Sequence, residues 1–88
     1  MNIDSSKIVR AIEEYNRYRS PEATASLVEI GDGYVIVDLS GSFCISCGIY
    51  DWLDDLRYEL QDYTGRIVEI ADIERIDVDS FRVRYNIY

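Results

Sequence analysis

Two cysteines separated by two residues, Cys44 and Cys47, are the side chains of this 88-residue sequence whose type and spacing best suit chemistry. Thiolates at this spacing bind zinc or an iron–sulfur cluster, and the same spacing supports reversible thiol–disulfide exchange. Cysteine is also among the residue types most often buried as a small apolar side chain. Three interpretations of the pair therefore stay open: metal ligands, a redox dithiol, or structural packing residues.

The sequence contains no histidine, so Ser-His-Asp and Cys-His catalysis are excluded. Gly31-Asp32-Gly33 joins two predicted strands and does not open a helix, which favours a turn over a phosphate-binding loop. Asp77-Val78-Asp79 has the spacing at the start of a calcium loop, but the glycine and glutamate that complete such a loop are missing, so a turn is predicted here too. We expect a protein that is not an enzyme.

The formal net charge is −8, and most of it lies in residues 25–65, which carry one basic and eight acidic side chains. This concentration of acid would repel a phosphate backbone, so we do not expect nucleic acid as a partner. No run of about 18 apolar residues is present, and the first residues lack the basic-then-apolar form of a signal peptide. We expect a cytoplasmic protein with no membrane partner.

Apolar periodicity predicts the elements that precede the cysteines. A helix over about 6–19 is indicated by four apolar residues at helical spacing, and Ser20-Pro21 ends it. A change to period two predicts a β-hairpin, roughly 25–30 with 34–39, in which Ser26, Val28 and Ile30 share one face. Ser40-Gly41-Ser42 then ends the second strand.

The elements after the cysteines complete a single domain over residues 1–88. A second amphipathic helix is predicted over about 48–62, followed by a strand at 66–70 and a last strand from Phe81 to the C-terminus. The expected fold class is α+β in the order α-β-β-α-β-β, with a small, mainly antiparallel sheet and both helices on one face. Cys44 and Cys47 would lie just before a helix N-terminus, where the helix dipole favours thiolates, although Asp51 opposes them.

The stretches Leu27–Ile30 and Tyr34–Leu39, the L-x-G motif at Leu39-Ser40-Gly41, and then Cys44 and Cys47 resemble the NifU-like C-terminal domain of iron–sulfur scaffold proteins. The resemblance covers roughly residues 7–70. It implies a homodimer in which each chain offers its two cysteines to one shared cluster, because such clusters usually need four thiolates.

These observations lead to a small non-enzymatic protein that binds zinc or an iron–sulfur cluster through Cys44 and Cys47. One alternative is a protein interaction module without a cofactor, in which the cysteines are structural and the acidic second helix or the tyrosines contact a protein partner. Another is a small dithiol redox protein. Among the eight tyrosines, Tyr15 and Tyr85 are expected in the core. The candidates for a recognition surface, including a homodimer contact, are Tyr18, Tyr50, Tyr58, Tyr63 and Tyr88.

Overall fold

Two helices and four strands follow one another in the order α-β-β-α-β-β in the computed structural model, which describes residues 4–42 and 48–88. The bounds are α1 Ser5–Arg19, β1 Thr24–Gly31, β2 Tyr34–Ser40, α2 Ile49–Thr64, β3 Val68–Asp77 and β4 Ser80–Ile87. The strands form one sheet in the order β1-β2-β4-β3, and each neighbouring pair is antiparallel. The predicted α+β class, element order and sheet are confirmed.

The core lies between the two helices and one face of the sheet. Alternate residues of the central strands are buried, because successive side chains of a strand point to opposite faces. The apolar stripes of α1 and α2 cover this face. The buried strand residues are Val35, Val37, Leu39, Phe81, Val83, Tyr85 and Ile87, and the helices contribute Ile8, Ala11, Ile12, Tyr15, Leu53, Leu56 and Leu60. Each large apolar side chain in this set stabilises the fold by about 1.5–3 kcal/mol relative to exposure.

The helices begin and end at residues suited to those positions. Asp4 caps α1, because its side chain accepts a hydrogen bond of 3.0 Å from the Ser6 backbone N–H. Ser20 closes α1 in an extended conformation, as predicted from the following proline. Gly65 ends α2 with a left-handed φ of 69°, and its N–H donates to the Gln61 carbonyl.

One prediction about β1 was wrong. The register with β2 shifts between Leu27 and Glu29, so a β-bulge changes which residues share a face. Ala25 and Leu27 pair with Leu39 and Val37 and face the helices, and Ile30 rejoins this face beyond the bulge. Ser26, which was expected on the same face as Ile30, lies on the other face because one extra residue inverts the alternation.

The third strand is longer than predicted. β3 continues past residue 70 to Asp77, and its register with β4 shifts between Ile70 and Asp72 and again between Arg75 and Asp77. These bulges interrupt the alternation that would mark a longer strand in the sequence. Val78 and Asp79 form the turn to β4, and the Val78 N–H donates to the Asp77 carboxylate at 2.7 Å. The prediction of a turn at these acids is confirmed.

Neither helix within the described ranges has both the length and the apolar character needed to cross a bilayer.

Candidate metal centre

The predicted ligands Cys44 and Cys47 lie outside the residues that the structure describes. The described residues on either side fix where the pair belongs in the fold. β2, a central strand, ends at Ser40, and α2 begins at Ile49. The two cysteines therefore connect a central strand to a helix, as the sequence predicted.

On the strand side, Gly41 leaves β2 in a conformation that few other residues adopt. Its φ is 138°, and its N–H donates to the Asp79 carbonyl at 3.1 Å. A Cβ atom at this position would collide with the backbone carbonyl of Glu22. Gly41 is thus required both by its φ and by the close approach of a neighbouring chain segment.

On the helix side, α2 begins without a side-chain cap among the described residues. Gly48 is the N-cap residue in a left-handed conformation, with φ 87° and ψ 27°. Its carbonyl accepts a hydrogen bond of 2.9 Å from the Asp51 N–H. The first turn of a helix presents backbone N–H groups and the positive end of the helix dipole, so this end of α2 favours negatively charged groups such as thiolates.

Asp51 lies closer to this helix end than its place on the acidic face of α2 suggested. A Cβ atom built on Gly48 would be 3.4 Å from Asp51 Oδ2, so the carboxylate lies beside the residue that directly follows Cys47. Asp51 is also the acidic residue in the first turn of α2. A carboxylate here repels a second negative charge and attracts a cation. The four-residue spacing from Cys47 is the signal in the sequence from which Asp51 was expected to act on the cysteine pair.

The described part of the chain does not complete a metal site by itself. Within residues 4–42 and 48–88, no group of three or more Cys, Asp or Glu side chains is arranged to hold a metal ion. Structural zinc and iron–sulfur clusters usually take four protein ligands. Two thiolates are half of such a set.

The remaining acids of α2 mostly make ion pairs. Asp54 is 2.5 Å from Arg57 Nε, and Arg19 of α1 lies 3.5 Å from Asp55 and 3.3 Å from Glu59. These pairs join α2 to α1 or bridge one turn of α2. They account for Asp54 and Asp55 as structural surface charges, since the two side chains contact different arginines.

The tyrosines divide between core and surface. Tyr15 and Tyr85 are fully buried, as predicted. Tyr18, Tyr50, Tyr58 and Tyr88 are each more than half exposed. Tyr63 is partly buried, and its hydroxyl donates to Glu14 at 2.9 Å, which raises the pKa of Tyr63. Tyr50 is the exposed tyrosine nearest in sequence to the cysteines.

No protein-family model and no curated protein matches this chain. Among solved structures, the chain is similar in fold to the Fe(II) unliganded H-NOX protein from K. algicida, with a TM-score of 0.60 and 14% sequence identity. The match covers 99% of this chain and 49% of the H-NOX chain, so this chain spans about half the length of that protein. At this identity the likeness shows the fold alone, and the resemblance to NifU-like domains stays a prediction.

Proposed function

We propose that this protein binds zinc or an iron–sulfur cluster through Cys44 and Cys47 and is not an enzyme. The observation that carries the proposal is the position of the C-x-x-C pair, directly before a helix start where Asp51 turns its carboxylate toward Gly48. The uncapped first turn of α2 favours thiolates, which are the form of cysteine that binds metal.

Asp51 favours a cation over a metal-free dithiol. Two thiolates and a carboxylate close together repel one another, so without a cation the cysteines would stay protonated and less nucleophilic. A bound zinc ion, or the iron of a bound cluster, offsets this repulsion with its positive charge. The position of Asp51 beside Gly48, four residues after Cys47 in the sequence, therefore supports metal binding more strongly than thiol–disulfide chemistry.

A second copy of the chain would complete the ligand set. Two chains that each contribute Cys44 and Cys47 supply the four thiolates of an iron–sulfur cluster or a tetrahedral zinc site. The H-NOX structure is an Fe(II) form, but iron enters this proposal because of the thiol pair. A metal-bridged homodimer follows from the proposal.

The test is metal and labile-sulfide content per chain in protein purified without oxygen, with native mass measured on the same sample. The expected result is a dimer that contains zinc, or iron and sulfide, in wild-type protein. The variant Cys44→Ser/Cys47→Ser should contain no metal and run as a monomer. Ser46→Ala lies between the cysteines and keeps both thiols, so it should retain metal and dimer.

One outcome would overturn the proposal. Wild-type protein that is purified without metal, and that takes up neither zinc nor iron and sulfide on reconstitution, does not bind metal through this pair. If the double serine variant then has the same folding stability as the wild-type protein, the cysteines do not stabilise the fold either. A reversible two-electron couple lost in that variant would instead identify a redox dithiol.

A further inference from the structure

Both edge strands of the sheet have one residue whose backbone groups are capped by a helix side chain. At the start of β1, the Asn16 side chain accepts from the Ala25 N–H at 2.7 Å and donates to the Ala25 carbonyl at 2.9 Å. At the start of β3, Gln61 accepts from the Val68 N–H at 3.1 Å, and Arg57 donates to the Val68 carbonyl at 3.4 Å. These side chains occupy the place of a neighbouring strand at one residue of each edge.

Beyond Val68, no strand among the described residues pairs with the outer edge of β3. The Tyr88 N–H donates to the Ile67 carbonyl, whereas the Ile87 N–H donates to the carbonyl of Gly33, directly before the start of β2. Even-numbered residues of β4 therefore bond to β3, and odd-numbered ones bond to β2. Ile70 and Ile73 are paired with the odd-numbered residues Tyr85 and Val83, so their N–H and C=O groups point away from the sheet. None of the hydrogen bonds between described residues uses these groups.

A groove of about 430 Å³ runs along this open edge, between β3 and α2. Tyr50, which is 58% exposed, lines this groove, and Ile73, which is 40% exposed, lies farther along the helix side of β3, outside the groove. Its lining residues are Tyr50, Asp54, Arg57, Val68, Glu69 and Ile70. A strand placed beside β3 would direct alternate side chains into this groove.

The opposite side of β3 carries two carboxylates, Asp72 and Glu74, that form no ion pair with another residue in the described ranges. Asp72 and Glu74 are paired in register with Arg84 and Arg82 and so face away from the helices. Arg82 donates instead to Asp38 on β2, at 2.8 and 2.9 Å. Among the described residues, neither Asp72 nor Glu74 lies within salt-bridge distance of a basic group.

The guanidinium of Arg84 likewise has partners other than Asp72. It lies 4.0 Å from the centroid of the Tyr34 ring and donates to Asn86 at 3.1 Å. Arg82 and Arg84 thus have other hydrogen-bond or ring partners, although both line one pocket together with Asp72 and Glu74. The negative charge of this edge comes from β3 itself, which carries four acidic residues and one arginine.

We propose that β3 binds an extended basic segment of a partner protein by strand addition. Main-chain hydrogen bonds would form to the free groups of Ile70 and Ile73. Apolar residues of the partner would face Tyr50 and Ile70 in the groove and Ile73 beside it. Alternating Lys or Arg residues would lie opposite Asp72 and Glu74.

Charge selects this occupant over a second copy of the chain. β3 carries four acidic residues and one arginine, so pairing of two β3 strands would place like charges opposite one another. The other edge offers less charge, because the only carboxylate of β1, Glu29, accepts a hydrogen bond from the Tyr34 hydroxyl. The β3 edge is therefore the docking surface for a basic strand.

The test uses an end-capped peptide of eight residues that alternates lysine and valine, titrated into the wild-type protein. We expect saturable binding by calorimetry, with NMR shift changes at Ile70, Ile73 and Tyr50 and cross-strand contacts between peptide and β3. Two further peptides carry N-methyl groups on either the odd-numbered or the even-numbered residues. One of them should lose binding and the other should keep it, because the N–H groups of only one set face β3.

Two matched variants test whether the peptide binds at the β3 edge and not at the β1 edge. Leu27 on β1 and Ile73 on β3 are each 40% exposed at the edges of the same sheet. Ile73→Lys should weaken peptide binding by about tenfold, equivalent to about 1.4 kcal/mol, whereas Leu27→Lys should leave it unchanged. Asp72→Asn/Glu74→Gln should weaken binding and reduce its salt dependence.

Three results would overturn the proposal: no binding by the wild-type protein, equal loss in both lysine variants, or equal tolerance of both N-methylated sets. The last result would indicate attraction by charge alone. Concentration-dependent dimerisation that is lost in Ile73→Lys would assign the edge to a second copy instead.

Discussion

Tyr15 on α1 and Tyr85 on β4 donate hydrogen bonds to adjacent carbonyl oxygens of α2, at Trp52 and Leu53, with lengths of 3.0 and 2.8 Å. Both phenols are fully buried. One joins α2 to the other helix, and the other joins α2 to the sheet. The beginning of α2, which follows the cysteine pair, is therefore held on two sides by polar contacts within the core.

Replacing Tyr85 by phenylalanine should destabilise the fold by about 1–2 kcal/mol. The substitution keeps the ring but removes a buried hydrogen bond, and the net contribution of such a bond is about 1 kcal/mol. Urea unfolding followed by circular dichroism would measure the change. Tyr18→Phe is the control, because Tyr18 is 72% exposed. Removing its hydroxyl should change the free energy of unfolding by no more than about 0.5 kcal/mol. Equal stability of the two variants would contradict a structural role for the Leu53 contact.

Alkaline pH should destabilise the protein through the same two tyrosines. Burial raises the pKa of Tyr15 and Tyr85 above the ordinary value, because the ionised phenolate is poorly solvated in the core. Below about pH 10 both folded and unfolded chains keep these protons, so the full stability is present. Above that pH the unfolded chain loses protons that the folded chain retains, and stability falls by up to about 1.4 kcal/mol per pH unit for each tyrosine.

The measurement is the free energy of unfolding from pH 8 to 11, in wild-type protein and in Tyr15→Phe/Tyr85→Phe. The double variant should be less stable at pH 8 but should lose less stability as the pH rises. Parallel pH profiles for the two proteins would show that other groups control alkaline unfolding.

Apolar spacing was sufficient to predict the element order, the burial of Tyr15 and Tyr85 and the stripes of both helices. It did not predict the bulge at Val28, because one extra residue in a strand leaves no mark in the alternation until a partner strand defines the register. It also missed the backbone caps made by Asn16, since the contact joins α1 to β1 and depends on how the helix crosses the sheet. Local pattern thus defines the elements, whereas contacts between elements depend on their packing.

Asn16→Ala should destabilise the protein by about 1–3 kcal/mol. The substitution leaves both the N–H and the carbonyl of Ala25 without their partner, and unsatisfied buried polar groups cost about this much. Thermal unfolding would measure the loss. Asn86→Ala is the matched control, because Asn86 accepts a single exposed hydrogen bond from Arg84. If Asn86→Ala lowers the stability as much as Asn16→Ala does, the two hydrogen bonds between Asn16 and the Ala25 backbone do not account for the effect.

Gly41→Ala should destabilise the fold more than Gly65→Ala. Both glycines have positive φ, but alanine is strained by about 1–2 kcal/mol at the left-handed φ of Gly65, 69°, and by more at the φ of Gly41, 138°. A Cβ atom at Gly41 also collides with the Glu22 carbonyl, whereas one at Gly65 has no neighbour within 4 Å. The difference between the two variants in urea unfolding therefore measures the collision together with the greater backbone strain at Gly41. Equal losses would show that the segment at Glu22 moves aside at little cost.

Asp51→Asn should affect the protein in opposite ways with and without metal. Removing the carboxylate charge beside Gly48 weakens the attraction for a bound cation, so zinc or iron should be lost to a chelator faster, by about tenfold if Asp51 supports the ligands. In metal-free protein the same substitution removes a repulsive charge, so the thiols should react faster with an alkylating reagent. Asp62→Asn, on the exposed far end of α2, is the control and should change neither rate. If Asp51→Asn also changes neither rate, the carboxylate does not act on Cys44 and Cys47, and the preference for a cation loses its physical basis.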